Sequence, residues 1–338
     1  MIALFLLALA ATCAPAAAQD RQAEARELET QFITALNAKD YAAAITAGEK
    51  LATLAPQGGT AAFNLACAHV LSGDRERGIT ALRRAVRDGF ANVEAITTDT
   101  DLVSLRQDAE FQAIVQEVRN NRRKQVEEFR AKVEKAKPLV VLPPGHTSAT
   151  EAPLIVALHG FGSNADDVAD AYRAAAASFG AILVAPRAVE EAPAGGFTWG
   201  NSENAEYIVN TALDAVRAAH RIDEKRIVLT GFSQGGWVTY RLALRNPKRY
   251  CAAIPVAGRC TDIVVPATPV LPKFYIMVGE KDPVLEQNRQ ISAALESKGA
   301  AVLLATFAGV GHEFPQERDE ELRKALTFAL GAPPSGAR

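Results

Sequence analysis

The sequence lacks the basic surplus that a nucleic-acid partner would demand. Its 338 residues carry 37 lysines and arginines against 39 aspartates and glutamates, a formal net charge of −2. Nothing in that balance favours phosphate neutralisation, and no nucleic-acid fold motif appears. Long apolar runs are also missing. No internal stretch reaches the roughly 20 residues needed to cross a bilayer, so no membrane span is expected. What remains is ordinary for a globular protein: 49% hydrophobic and 22% charged residues, in a chain long enough for one catalytic domain and a smaller one.

The N-terminus departs from that average. Residues 2–11 form an apolar block, followed by Ala16-Ala17-Ala18 and then Gln19-Asp20. This is the pattern of a secretory signal peptide over 1–18, and the block is too short to span a membrane. No lysine or arginine precedes it, so only the α-amino group supplies positive charge there. Thr12 precedes Cys13, unlike the small residue expected at a lipoprotein site. The expected location is therefore periplasmic or secreted. Of the other cysteines, Cys67 falls in an Ala/Leu-rich helix and reads as a small buried thiol. Cys251 and Cys260 lie nine residues apart; an oxidising compartment would permit a bridge, but spacing alone does not decide it.

Residues 20–137 read as helix throughout. Asp40-Tyr41-Ala42-Ala43-Ala44-Ile45 is echoed 34 positions later by Asp74-Arg75-Glu76-Arg77-Gly78-Ile79, and Ala47/Ala81 and Lys50/Arg84 keep that register. A 34-residue period of paired helices resembles tetratricopeptide repeats. On that resemblance Phe63–Ala68 belongs to an A helix and Ile79–Arg87 to a B helix, with Pro56 closing the first repeat. Gly78 stands where the repeat has a small Ala, and the Trp and second Pro positions are unmatched. At most two repeats fit, fewer than such arrays need to bury a continuous core, so the module is expected to pack on something else. A groove for a protein partner is one reading; a helical cap or brace is the plainer one. The charged run 119–137 reads as a solvated helix, and the Pro-rich, polar stretch 138–152 as a linker.

From Leu154 the period changes. Short apolar runs at Leu154–Leu158, Ile182–Ala185, Arg226–Thr230, Ala252–Val256, Phe274–Val278 and Val302–Phe307 alternate with helical patterns near 166–178, 203–221, 235–245, 285–298 and 316–330. Continuous apolar strands separated by helices predict a parallel sheet covered on both faces, an α/β domain over 153–330. The segment 331–338 is expected to be a disordered tail.

The strand Arg226–Thr230 runs into Gly231-Phe232-Ser233-Gln234-Gly235-Gly236, and a helix follows. This is the G-x-S-x-G elbow in its confirming context of strand, sharp turn and helix. Serine needs a base to become a nucleophile. Of five histidines, His69 lies in the helical module, His146 in the linker, His220 near a helix end and His159 just after the first strand. His312, in Gly309-Val310-Gly311-His312-Glu313-Phe314 after the last strand, is the candidate base. Gly279-Glu280-Lys281-Asp282-Pro283 offers two carboxylates to orient it. Asp282 is preferred, because the chain has left the strand and turned at Pro283 by then; Glu280 is the rival. The order Ser…Asp…His is that of a hydrolase triad. Backbone donors for an oxyanion are assigned to Gln234 and, in His159-Gly160-Phe161-Gly162, to Phe161. Phe197 and Trp199, beside Gly195-Gly196, are candidates to line an acyl pocket, or simply to pack.

With these residues in view, segment 153–330 resembles the phospholipase/carboxylesterase branch of the α/β-hydrolases and is similar to dienelactone-hydrolase-like enzymes. The resemblance implies an α/β-hydrolase sheet and a serine esterase. Such an enzyme cleaves small carboxylic esters or thioesters through an acyl-enzyme, with no metal or other cofactor. Only about seventeen residues separate the strands ending at Val256 and starting at Phe274, which leaves no room for a helical lid and suggests an open site. Two other readings stay open: an exported interaction protein with a non-catalytic hydrolase domain, and a serine peptidase.

Overall fold

The computed structural model describes residues 16–193, 195–268 and 270–333. The apolar block of the expected signal peptide, Cys13 and positions 334–338 of the expected tail lie outside the described residues. The chain divides into two units, residues 1–129 and 130–338.

The first unit is helical, with no strand among its described residues. It contains α1 (Ala16–Asn37), α2 (Tyr41–Leu54), α3 (Thr60–Leu71), α4 (Arg75–Arg87), α5 (Val93–Thr98) and the start of α6 (Ala109–Lys135). The 34-residue echo has a local physical basis. Asp40 caps α2 by accepting from the Ala43 amide, and Asp74 caps α4 by accepting from the Arg77 amide, each at 3.0 Å. The residue before each cap is left-handed, Lys39 at φ 58° and Gly73 at φ 87°. Each cap amide then reaches back five residues, to Ala35 O and His69 O, at 2.9 Å. α1–α2 and α3–α4 are thus two helix pairs turned by one geometry.

The core of this unit does not end with those pairs. Phe63 stacks on Phe90 with ring centroids 4.5 Å apart. Leu102, Leu105, Phe111, Ile114 and Val118 join the same buried cluster. Segments after the second pair therefore cover the apolar surface that two repeats alone would leave open.

The second unit is built on a seven-stranded sheet. Its strands are β1 (Leu139–Val141), β2 (Ala152–Leu158), β3 (Ile182–Ala185), β6 (Ile222–Phe232), β7 (Ala252–Val256), β8 (Lys273–Gly279) and β9 (Val302–Phe307), in the order β1-β3-β2-β6-β7-β8-β9. All neighbours are parallel except β1, which runs antiparallel to β3. β2, β3 and β7 are buried at every residue, as strands covered on both faces must be. The helices are α7 (Ala165–Ser178), α8 (Ser202–Ala219), α9 (Gln234–Arg245), α10 (Leu285–Ser297) and α11 (Arg318–Leu330). α7 and α11 bury their apolar stripes against Ile155, Leu183, Val228, Ile254 and Met277 on one face. α9 packs on β6 and β7, and α10 on β8.

Three short strands differ from the sequence reading. β1 lies inside the expected linker; it is a half-buried edge strand of three residues bounded by Pro138 and Pro143, with too little alternation to read. β4 (Glu190–Glu191) and β5 (Phe197–Thr198) pair as a separate antiparallel ribbon, two residues each and therefore without a detectable period. Cys67, Cys251 and Cys260 are all free thiols. Cys251 directly precedes β7 and Cys260 lies in the loop after it, with no bridge between them. Burial also pushes the Cys260 thiol up to about 12, which leaves it unreactive at neutral pH.

If the two caps carry the helical repeat, Asp74→Ala should lower the stability of the helical unit by about 1 kcal/mol, and Asp40→Ala by a similar amount. Urea unfolding followed at 222 nm reads both.

Candidate active site

β6 delivers Ser233 at φ 54° and ψ −112°, directly before α9. A non-glycine residue pays for positive φ in steric strain, and the packing around it explains why the turn holds. A side chain at Gly231 would start 2.5 Å from the Gly235 backbone, and one at Gly235 only 2.3 Å from the Leu158 carbonyl. Strand β6, strand β2 and helix α9 meet here closer than any Cβ permits. The turn carries Ser233 past the end of β6 into the wall of a cavity. The Ser233 amide donates to Val256 O at 2.8 Å and fixes it there.

Ser233, His312 and Asp282 form one hydrogen-bonded chain. His312 Nε2 lies 2.8 Å from Ser233 Oγ, and His312 Nδ1 lies 2.8 Å from Asp282 Oδ2. The Asp282 side chain is fully buried while that of His312 is 44% exposed, so one end of the chain is sealed and the other open. The carboxylate's other oxygen accepts from the Val284 amide at 3.0 Å. Glu280, the rival acid, is exposed. The loops carrying base and acid are themselves in backbone contact: Lys281 N donates to Val310 O at 2.9 Å. A Cβ on Gly279 would lie 2.3 Å from that same carbonyl.

Several positioning residues escaped the sequence reading. Asn288, fully buried, donates to Gly258 O and Val284 O and accepts from the buried Tyr240 hydroxyl at 2.7 Å. It ties the acid loop, the loop after β7 and α9 together. A signal existed, because Asn288 falls on the stripe of α10 that buries Ile291 and Leu295, where a polar residue calls for a partner. On the other side, Phe232 stacks on Phe314 at 5.1 Å and flanks the His312 ring at 5.4 Å.

The His159–Gly162 loop lies against the elbow: a Cβ on Gly160 would be 3.5 Å from Ser233 Cβ. The Gln234 amide opens α9, where first-turn N–H groups lack intrahelical acceptors. Its side chain is occupied elsewhere, donating to Thr198 Oγ1 at 2.9 Å and accepting from the Trp199 amide at 3.2 Å. Trp199 is 0% exposed, donates from Nε1 to His159 O at 2.8 Å and packs tilted against the His159 ring at 4.6 Å. It supports the loop from beneath. Neither Trp199 nor Phe197 reaches the cavity that holds Ser233. That cavity, of 530 Å³, is walled by Phe161, Gln234, Trp237, Arg259, Val284 and His312 among others. The structure thus gathers Ser233, Asp282, His312, Phe161 and Gln234 at one place, and puts Phe197 and Trp199 outside it. Trp237 and Arg259 are wall residues that the sequence reading did not single out.

The crystal structure of esterase PE8 superposes with a TM-score of 0.50 at 21% identity, covering 57% of this chain and 99% of that one. The fold is that of an α/β-hydrolase. A family model described as the dienelactone hydrolase family matches residues 184–329, the part of the α/β-hydrolase unit that contains Ser233, Asp282 and His312. A "Putative carboxymethylenebutenolidase" from Aquifex aeolicus (strain VF5) is 23% identical over 122 residues, 36% of this chain and 53% of that protein. "Protein usf" from Aquifex pyrophilus is 22% identical over 122 residues, with the same coverage. The chain spans about half the length of these curated relatives.

The elbow's steric argument separates two glycines of this α/β-hydrolase unit. Gly235→Ala places a methyl into the Leu158 carbonyl and should destabilise the unit by about 1–3 kcal/mol or prevent its folding. Gly311→Ala, beside His312 but with nothing within 4 Å of its Cβ position, should leave stability within about 0.5 kcal/mol. Both tryptophans, Trp199 and Trp237, lie in this unit, so thermal unfolding followed by tryptophan fluorescence reports on it.

Proposed function

We propose that the chain is a serine esterase that hydrolyses small carboxylic esters or thioesters through an acyl-enzyme. The observation that carries this reading is the continuous Ser233–His312–Asp282 hydrogen-bonded chain on a strained elbow. A carbonyl held in the 530 Å³ cavity is attacked by Ser233 Oγ as His312 Nε2 takes its proton. Buried Asp282 accepts from His312 Nδ1–H, fixes the tautomer and stabilises the imidazolium that forms. The tetrahedral oxyanion accepts from the amides of Gln234 and Phe161, with the α9 N-terminus adding its partial positive charge. His312 returns the proton to the leaving alcohol or thiol, and water, activated by the same base, releases the acid.

Arg259 refines the substrate. It is exposed in the cavity wall and pairs with no carboxylate among the described residues. A free guanidinium there favours esters that carry an acidic group, in keeping with the carboxyl-bearing lactone in the name of the Aquifex aeolicus relative. The segment 257–272 between β7 and β8 has no helix or strand among its described residues, which supports an open site for soluble rather than micellar substrates.

The apolar block at 2–11 supports export to the periplasm or outside, with mature protein beginning near Gln19. The two matched helix pairs support a tetratricopeptide-like module, acting as a brace or as a site for a protein partner.

Ser233→Ala should lower kcat/KM for 4-nitrophenyl butyrate about ten-thousandfold, with little change in thermal stability. If wild type does not exceed that variant on any short ester, the chain is an interaction protein or a peptidase instead. Arg259→Glu should cut kcat/KM at least about tenfold for a mono-4-nitrophenyl dicarboxylate ester, and less than about threefold for the neutral butyrate. Equal losses on both esters would remove Arg259 from substrate choice.

A further inference from the structure

A second cavity, of 590 Å³, shares no wall residue with the Ser233 cavity, yet touches the same loop at His159. Two features of its wall are unaccounted for by the esterase reading.

The first is charge. Lys132 and Lys135, in the last turn of α6, both line it, and neither pairs with a carboxylate among the described residues. A lysine near a helix C-terminus is favourable by itself, but these two are held over a cavity. Val133 between them is buried, Arg130 lies 5.2 Å above the Tyr207 ring, and Tyr207 OH donates to Glu134 at 3.3 Å. Arg187 adds a third cation, bonded at 2.8 Å to Asp166. Glu191 is the one carboxylate recorded in the wall. The cavity is net positive.

The second is an orphaned acceptor. His159 is 1% exposed and its Nδ1 lies 2.7 Å from Gly160 O. A carbonyl only accepts, so Nδ1 carries the hydrogen. Burial lowers the pKa of the ring and keeps it neutral. Nε2 therefore presents a bare lone pair, buried and with no partner, a costly state that a hydrogen-bond donor would relieve. The tilted contact with the Trp199 ring, at 4.6 Å between centroids, packs the imidazole in that orientation.

We propose that this cavity is a binding site for a small hydroxyl-bearing carboxylate, its carboxylate held by Lys132 and Lys135 and its hydroxyl donating toward His159. Val189, Ala188 and Phe197 in the wall take the carbon skeleton. The site does not use Ser233, so its test stands apart from the esterase reading.

Calorimetric titration of the full chain with 4-hydroxyphenylacetate should show saturable one-site binding. Phenylacetate, which lacks the hydroxyl, and 4-hydroxyphenylacetamide, which lacks the charge, should each bind at least about tenfold more weakly. The double variant Lys132→Glu/Lys135→Glu, at exposed positions, should lose at least about tenfold in affinity, and Lys132→Gln/Lys135→Gln should lose less in the same direction. Arg259→Glu, in the other cavity, should leave the affinity unchanged. Four results would overturn the proposal: no saturable binding at millimolar probe; less than the stated loss in the lysine variant; equal binding of phenylacetate; or loss of binding in Arg259→Glu, which would put the acid in the Ser233 cavity.

Discussion

The α/β unit depends on one close approach, where β2, β6 and α9 meet with only glycine between them. Gly231 and Gly235 let the backbones come within distances at which a Cβ would overlap the Leu158 carbonyl or the Gly235 peptide. The strain at Ser233 is the consequence. Its positive φ would relax if the helix could retreat, and the burial of α9 residues Val238, Tyr240 and Leu242 holds the helix in place. Packing energy spread over a whole helix is thus focused on one residue's dihedral angles. The same approach brings the His159–Gly162 loop alongside the elbow, where a Cβ on Gly160 would lie 3.5 Å from Ser233 Cβ.

A second contact of the same kind fixes the other half of the site. Gly279 ends β8 against the Val310 and Gly311 carbonyls, so the loops after β8 and β9 leave the sheet together. Without that proximity, Asp282 and His312 would stand on separate loops with independent motion. Asn288 completes the arrangement by spending its amide on Gly258 O and Val284 O and accepting from Tyr240. A buried amide with every group satisfied is rigid because each alternative rotamer leaves a polar atom unpaired in a dry interior. The triad geometry therefore rests on glycine contacts for distance and on one asparagine for orientation.

Much of this was legible in the sequence, and what was not has a common cause. The six parallel strands announced themselves as short apolar runs, and β2, β3 and β7, covered on both faces, are buried at every position. The serine, the acid and the histidine followed from their places at the ends of those strands. What could not be read was the direction of side chains in short loops. Phe197 and Trp199 were near enough in sequence to line the pocket, yet Trp199 turned inward because its indole N–H finds His159 O. Gln234 was legible as a backbone donor, but its side chain's hold on Thr198 and the Trp199 amide depends on a loop whose course no period reveals. The three short strands were lost for the same reason, being shorter than one detectable repeat.

On the proposed esterase reading, specificity in such a site comes from its rim. The described residues of 257–272 form no helix or strand, so on that reading a substrate would stay open to water on one side rather than be enclosed by apolar surface. Charge is what survives partial exposure, although weakened by solvent. The loop after β7 carries Arg259 into the wall, and Asp262 anchors that loop to α9 through Arg241 and the Trp237 indole at 3.3 Å. Arg241 also lies 5.2 Å above the Trp237 ring. Asp262 is held below its ordinary pKa by these partners, against the opposing pull of its own burial, so the clamp keeps its charge at neutral pH. The loop that carries Arg259, the cation proposed to select substrate, is thereby tied to α9 by the Arg241–Asp262 pair. If Arg259 selects as proposed, the cavity has its discriminating group without needing a lid.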